Sequence, residues 1–202
     1  MEKRANRIIK RGFDVVVSSL MLLFLSPIML AVALGVFISL GRPIFFRQER
    51  LGRLGKPFLM LKFRSMRPGN ADGLEWSTGI NPRKTRFGNF IRRYSLDELA
   101  QLINVLRGDM SLVGPRPEAA QFAERFKREI PLYEKRFSAK PGITGLAQIR
   151  GLRGDCSIEA RAAADVEYIE RWSLLLDIKI LLKTPFKILN KSEVYSEGQG
   201  DE

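Results

Sequence analysis

The sequence predicts an α/β protein, predominantly helical with a small β-hairpin, whose amino-terminal helix belongs in a membrane. Three observations carry that expectation. Residues 15–41 contain no charged side chain, a run longer than the roughly 20 apolar residues that a bilayer-spanning helix needs. Residues 44–47 and 58–63 are short β-prone runs on either side of Gly52 and Gly55, as in a hairpin. From Ser95 onward Leu99, Leu102, Ile103 and Leu106 recur at helical spacing, with Gly108 placed where a helix would stop.

A chain of 202 residues supports one core of ordinary size. The single Cys156 cannot close an internal disulfide, and the absence of histidine removes the material for a zinc site or a His-based triad. Oxygen-ligand metals such as magnesium stay open. The net charge of +12 is uneven: residues 1–100 carry 18 Lys and Arg against 7 Asp and Glu, residues 101–202 carry 16 against 15. Such an excess suits nucleic acid, anionic lipid headgroups or phosphorylated small molecules, and composition does not choose among them.

The apolar run is too long for the core of a cleaved signal peptide, so the anchor is expected to stay. Ser26 and Pro27 lie near its midpoint, where proline removes a backbone hydrogen bond. Both flanks are basic, with Lys3, Arg4, Arg7, Lys10 and Arg11 before it and Arg42, Arg47, Arg50, Arg53 and Lys56 after it. The tendency of basic flanks to remain on the cytoplasmic side favours a re-entrant helix-break-helix that enters one leaflet and returns. A kinked single span is the alternative. Residues 1–42 are therefore expected to form the anchor, 43–190 a cytoplasmic catalytic domain and 191–202 a polar tail. Asp14, at the membrane edge, is expected to pair with Arg11 or with a lipid headgroup.

Residues 42–67 hold eight basic residues against one acidic. Lys62 and Arg64 alternate onto one side of a strand, where two cations can hold a diphosphate. Arg47, Arg50 and Arg53 read as a basic surface beside lipid. Residues 68–86 form a Gly, Asn, Asp and Pro-rich loop carrying Trp76, which touches lipid or covers the site. RFGNFIRRY then offers Phe87, Phe90 and Ile91 as an apolar face, followed by Arg92 and Arg93.

Ser95 followed three residues later by Glu98 is a capping box, so a helix is expected to begin at Ser95. Its first turn carries Asp97 and Glu98, and the following loop holds Arg116 between Pro115 and Pro117. Unpaired amides and the partial positive charge of a helix start favour a phosphate, and a carboxylate beside it can attack phosphorus if metal or arginine screens the repulsion. Each residue also has an ordinary explanation: Glu98 closes a box, Asp97 complements the dipole, Arg116 is a turn residue.

In the carboxyl-terminal half, residues 118–137 read as an amphipathic helix interrupted by Pro131, without chemistry. KPGITGLAQ, residues 140–148, has a proline and two glycines where a tight turn would bring backbone close to a ligand or another segment. Residues 158–172 form a helix. Residues 173–189 form another, apolar apart from Asp177, Thr184 and a stripe of Lys179, Lys183 and Lys187 that can lie near lipid phosphates.

The KFRSM block, SLDEL, GDMSLVGPRP, KPGITGLAQ and LDIK occur in this order in the chain. Together they resemble the bacterial sugar transferase family, the monotopic polyprenyl-phosphate phosphoglycosyl transferases, over residues 10–189. The resemblance implies transfer of a sugar 1-phosphate from a UDP-sugar to polyprenyl phosphate, with UMP as the other product. It implies that Asp97 attacks phosphorus to form a covalent phosphosugar intermediate. Glu98, with Asp97, would bind Mg²⁺, and Lys62, Arg64, Arg92 and Arg116 would bind substrate phosphate. Arg92 beside Asp97 would lower its pKa and keep it ionised. Arg150 and Arg153 would meet the nucleotide, Asp109 would support the site, Asp177 would have a structural or site-supporting role, and Ser26 with Pro27 would form the membrane break. The implied partners are a UDP-sugar, polyprenyl phosphate and membrane lipids of the bacterial inner membrane, and no nucleic acid. A membrane-tethered binding protein for nucleic acid or anionic lipid, and an enzyme that transfers the sugar directly without a covalent intermediate, are the competing readings.

Overall fold

Helix α1 (Arg4–Leu40) is the longest element and the rest of the chain is built along it. The computed structural model describes residues 4–68, 83–152 and 156–197; Trp76, Arg153 and most of the loop expected over 68–86 lie outside them. Helical backbone continues on both sides of Ser26 and Pro27, with no loop between the two halves of the anchor expected over residues 1–42. Pro27 has no N–H to give to the carbonyl of Leu23, and the Ser26 hydroxyl donates to that carbonyl instead, at 2.8 Å.

One face of α1 packs inward on either side of residues 23–28. Phe13, Val17, Met21 and Leu22 join a core formed by Leu102, Val105, Met110, Leu112, Tyr168 and Ile180. Met29, Val32, Val36 and Leu40 join a second core with Phe63, Ile91 and Ala100. Between these two sets only residues 23–28 lack a partner in either core, ~9 Å of helix at 1.5 Å per residue. The opposite face exposes Leu20, Leu23, Phe24, Leu30, Leu34 and Ile38. The helix is amphipathic in an unusual sense: apolar on both sides, with protein against one and nothing described against the other.

The expected hairpin is present as β1 (Phe45–Leu51) and β2 (Pro57–Phe63), antiparallel, with Phe45 opposite Phe63 and Leu51 opposite Pro57. Helix α2 (Arg86–Arg93) is capped by Thr85, whose hydroxyl accepts from the Gly88 amide. Helix α3 (Gln101–Arg107) ends at Gly108, which takes the left-handed conformation that a non-glycine residue resists. Asn104 ties α3 to the hairpin, accepting from the Leu61 amide at 2.9 Å and donating to the Leu59 carbonyl at 2.8 Å.

A second, parallel pair joins β3 (Ser111–Val113) to β4 (Gly142–Thr144). A Cβ on Gly142 would lie 2.1 Å from the Gly114 amide nitrogen, and one on Gly114 would lie 2.4 Å from the Lys140 carbonyl. The glycines of KPGITG thus bring backbone against backbone, fixing the loop that carries Arg116; Gly142 donates to the Pro115 carbonyl at 2.8 Å.

Helix α4 (Ala120–Glu129) and a 3₁₀ turn at Tyr133–Ser138 replace the single interrupted helix expected over 118–137. With Leu51 and Ala162 they form a third core around Phe126 and Tyr133. The short helix α5 (Leu146–Ile149) leads to α6 (Ile158–Glu170), and α7 (Leu174–Glu197) closes the fold, continuing as helix into residues expected to form a polar tail. On α7 the residues Leu175, Ile178, Leu182, Phe186 and Leu189 are exposed at helical spacing, beside exposed Lys179, Lys183 and Lys187.

Two corrections concern polar residues of the anchor. Asp14 does not pair with Arg11 or face a headgroup; it is buried, accepting from the Ser111 hydroxyl at 3.0 Å and the Leu112 amide at 3.1 Å. Arg11 instead donates to the carbonyls of Val105 and Leu106 at the end of α3, where the helix dipole favours a cation. Asp177 is fully buried, accepting from Lys10 at 2.7 Å, Tyr168 at 2.7 Å and Trp172 at 3.2 Å. It ties α1, α6 and α7 together and touches none of the acidic pair's partners.

Candidate active site

The acidic pair does not open an α-helix. Ser95 sits in the left-handed region at φ 55° with no side-chain cap, and Leu96–Ala100 winds as a 3₁₀ turn before α3 begins at Gln101. A capping serine needs extended backbone angles, which Ser95 lacks, and Glu98 points elsewhere. The capping box is therefore not formed.

Glu98 is the hub of a charge cluster. Its Oε1 accepts from Lys62 Nζ on β2 and from Arg116 Nη2 in the GPRP loop, each at 3.0 Å. Burial by itself would push Glu98 up, but Arg116 and Lys62 outweigh it and hold the carboxyl well below the usual carboxylate range. Asp97 is 7% exposed, and its carboxylate has no hydrogen-bond or ion-pair partner among the described residues. Burial raises it from 3.8 to about 6, Glu98 reinforces the rise, and Lys62, Arg92 and Arg116 oppose it. The expectation that Arg92 would lower this pKa has the right sign for that one contribution and the wrong net result, because desolvation wins. At pH 7 such a group is still roughly nine-tenths ionised, and it is a stronger nucleophile than an ordinary aspartate.

Arg92 lies on α2, donating to the sulfur of Met66 at 3.7 Å and acting on Asp97 electrostatically. Arg64 does not face the cluster. It follows β2, is 7% exposed, and donates to the carbonyls of Leu40, Gly41 and Arg42, capping the end of α1. Its pairing with Lys62 as a diphosphate clamp is thus overturned: strand alternation stops at Phe63, and the unsatisfied carbonyls of α1 claim the guanidinium. Asp109 accepts from Asn104 at 3.3 Å, one step removed from β2. Arg150 is exposed and paired in bidentate fashion with Glu167, at 2.5 and 2.9 Å, away from the acidic pair.

The sequence reading missed the support behind Arg116. Arg136, 2% exposed, donates to the Arg116 carbonyl at 2.9 Å, to Asp165 at 2.7 Å and to the Tyr133 hydroxyl at 2.6 Å. Glu118 lies 3.7 Å from both Arg136 and Arg50. Arg50, expected beside lipid, instead stands over the Pro117 carbonyl and within electrostatic reach of Glu98 and Arg116. A pairing signal was available only in hindsight, since the partners are 29 and 67 residues apart.

A metal requires oxygen donors. Among the described residues no group of three or more His, Cys, Asp or Glu side chains gathers. The uncommitted carboxylate of Asp97 and the second oxygen of Glu98 form a two-carboxylate set, which fits Mg²⁺ completed by substrate phosphates and water.

The Asp97 carboxylate is thus buried among Lys62, Arg92 and Arg116, on a mostly helical fold whose first helix carries a long exposed apolar face. The chain belongs to the bacterial sugar transferase family, whose model matches residues 5–191. It is 47% identical over 193 residues to the UDP-glucose:undecaprenyl-phosphate glucose-1-phosphate transferase of Escherichia coli (strain K12), covering 93% of this chain and 42% of that protein. The protein of that name from Caulobacter vibrioides is 44% identical over 92% of this chain and 72% of its own length. The undecaprenyl-phosphate galactose phosphotransferase of Salmonella typhimurium is 40% identical over 96% of this chain and 43% of its own length. The chain spans about two-fifths of the length of several of these relatives.

Proposed function

We propose that this chain transfers a sugar 1-phosphate from a UDP-sugar to polyprenyl phosphate, releasing UMP, as the names of its relatives suggest. The observation that carries the reading is the Asp97 carboxylate, buried and raised to about 6, with no partner among the described residues and beside Lys62, Arg92 and Arg116. An Asp97 oxygen attacks the phosphorus that bears the sugar. The bond from that phosphorus to the bridging oxygen breaks, and UMP leaves with the oxygen. A phosphate oxygen of the polyprenyl carrier then attacks the same phosphorus and expels the carboxylate, giving polyprenyl diphosphate sugar.

Lys62, Arg92 and Arg116 lower the charge that builds on the transferring phosphoryl group. Glu98 holds Lys62 and Arg116 in place, and the backbone bond from Arg136 fixes the Arg116 loop. Mg²⁺, bound at Asp97 and Glu98, would neutralise diphosphate charge. The anchor is read as monotopic: α1 is long and apolar enough to cross a bilayer, but it packs against the catalytic body on both sides of residues 23–28, which keeps both of its halves with that body on one leaflet. The exposed faces of α1 and α7 then lie on one leaflet, the cytoplasmic leaflet of the inner membrane, with the acidic pair at headgroup level.

The test is to incubate purified protein with Mg²⁺, undecaprenyl phosphate and UDP-glucose or UDP-galactose, and to measure nucleotide release. UMP is expected, and with the acceptor omitted one equivalent of sugar phosphate should remain on the protein. Release of UDP, or undiminished UMP release by Asp97→Asn, overturns the mechanism.

A further inference from the structure

Away from the acidic pair, a cavity of about 1030 Å³ opens between the start of α1, the hairpin tip and the turn before β4. It shares no lining residue with the Asp97 and Glu98 cluster. Its walls carry Arg7, Lys10, Arg11, Arg53 and Lys140. Of these, Lys10 is neutralised by Asp177 at 2.7 Å. The other four have no carboxylate partner within salt-bridge distance among the described residues: Arg11 and Arg53 donate to backbone carbonyls, Arg7 is exposed, and Lys140 has no hydrogen bond.

Two of these cations crowd each other. A Cβ built on Gly108 would lie 3.5 Å from Lys140 Nζ and 3.6 Å from Arg11 Nη2, so the ammonium and the guanidinium are neighbours. Burial first, and then Arg11, lowers the Lys140 pKa, with Arg53 adding to the fall. Like charges held together in a concave, half-buried site constitute an unfilled demand for an anion. Asp14 and Asp109 offset this charge only in part: Asp14 already accepts from Ser111 and Leu112 and lies 3.7 Å from Lys10, and Glu170 lies by Lys135.

The surroundings indicate which anion. Leu54, exposed at 68%, lines the mouth, and Ile8, exposed at 64%, lines a shallow neighbouring pocket together with Arg7 and Arg11. Ile8 and Ile9 begin the same outward apolar face of α1 that continues through Val16 and Leu20. A ligand that matches both features has a phosphate head and an apolar tail. We propose that this cavity binds the phosphate of an anionic phospholipid headgroup, with the acyl chains leaving along Leu54 and Ile8. The chemistry shared with soluble phosphate esters is the phosphate itself; the apolar rim assigns it to lipid. The proposal rests on the reading of α1 as lying on a bilayer and not on the transfer reaction, so its test measures binding alone.

Trp172 lines the cavity and reports on it. In full-length Trp76→Phe protein, which leaves Trp172 as the sole tryptophan, its emission is followed during titration with dihexanoylphosphatidylglycerol, dihexanoylphosphatidylcholine and inorganic pyrophosphate. A saturable shift is expected with phosphatidylglycerol and none with phosphatidylcholine. Lys140→Gln should weaken binding about tenfold, the effect of losing one charge-assisted hydrogen bond. Arg7→Glu, an exposed change at the chain start, should weaken it in the same direction without altering the melting temperature. Equal response to phosphatidylcholine, or insensitivity to both substitutions, overturns the site. Pyrophosphate binding as tightly as phosphatidylglycerol overturns the lipid assignment. Loss of UMP release with lipid binding intact would count against the transfer reading alone.

Discussion

Replacing Asp97 with asparagine is expected to stabilise the protein, and to do so only above mildly acidic pH. The Asp97 carboxyl is 7% exposed and is raised from 3.8 to about 6, chiefly by burial. An acid with a folded pKa above its unfolded one binds its proton more tightly when folded, so its ionisation opposes folding. The penalty is absent below the unfolded value of 3.8, grows between there and about 6, and is fully present above about 6. A shift of about two units at 1.36 kcal/mol each sets its size at ~3 kcal/mol, or roughly 6–12 °C of melting temperature for a chain this long. Asparagine keeps the shape and removes the charge. Glu98, whose pKa is lowered, contributes stability above its unfolded value of 4.5 that is lost as pH falls through its folded value, but wild type and variant share that contribution. The assay is thermal unfolding of both proteins in the same detergent from pH 4 to pH 8. The reasoning is refuted if Asp97→Asn melts no higher at pH 8, or if its advantage fails to shrink below pH 5.

Arg116→Met and Lys62→Met, which each strip one partner from Glu98, should lower UMP release by ~10²-fold or more and move the acid limb of the pH–rate profile upward, since both cations hold the Asp97 pKa down. Arg64→Ala should cost roughly 2–4 kcal/mol by orphaning carbonyls at the end of α1, while KM for the UDP-sugar stays unchanged; a raised KM would return Arg64 to the phosphate site. Asp177→Ala leaves buried Lys10 with only Asp14, 3.7 Å away, and strips Tyr168 and Trp172 of their acceptor; it should cost ~3–5 kcal/mol, seen as a lower melting temperature. Gly142→Ala should fail to fold, because its Cβ would sit 2.1 Å from backbone; a soluble, folded variant in circular dichroism would contradict that packing.

Much of the scaffold can be read from local pattern. The uncharged run, the hairpin and the helices over 101–107, 158–170 and 174–189 all follow from apolar periodicity, because burial of one face is what that periodicity records. Lys62, Glu98 and Arg116 were singled out by sequence and do meet. Polar geometry is less legible. Nothing local distinguishes Arg64 as a cap from Arg64 as a ligand until the end of α1 is placed beside it, and Ser95 takes its left-handed turn because the chain must pass from α2 into a 3₁₀ turn. The partners of Arg136, Asp165 and Asp177 are decided by tertiary contacts between distant segments. One sequence feature did carry a hint: Asp14 and Asp177 are lone acids next to or inside long apolar runs, where a charge persists only if something buried answers it.

The way α1 lines both cores has a practical corollary for anyone wishing to work in plain buffer. Trimming residues 1–42 would not release a water-soluble enzyme from its tether. It would strip the inner lining from the catalytic body, removing Val32, Val36, Lys10 and Asp14 at once and baring the apolar surfaces they cover. Anchor and enzyme are one cooperative unit, so extraction calls for an amphiphile that dresses the outward side of the helix and leaves its inward side in place.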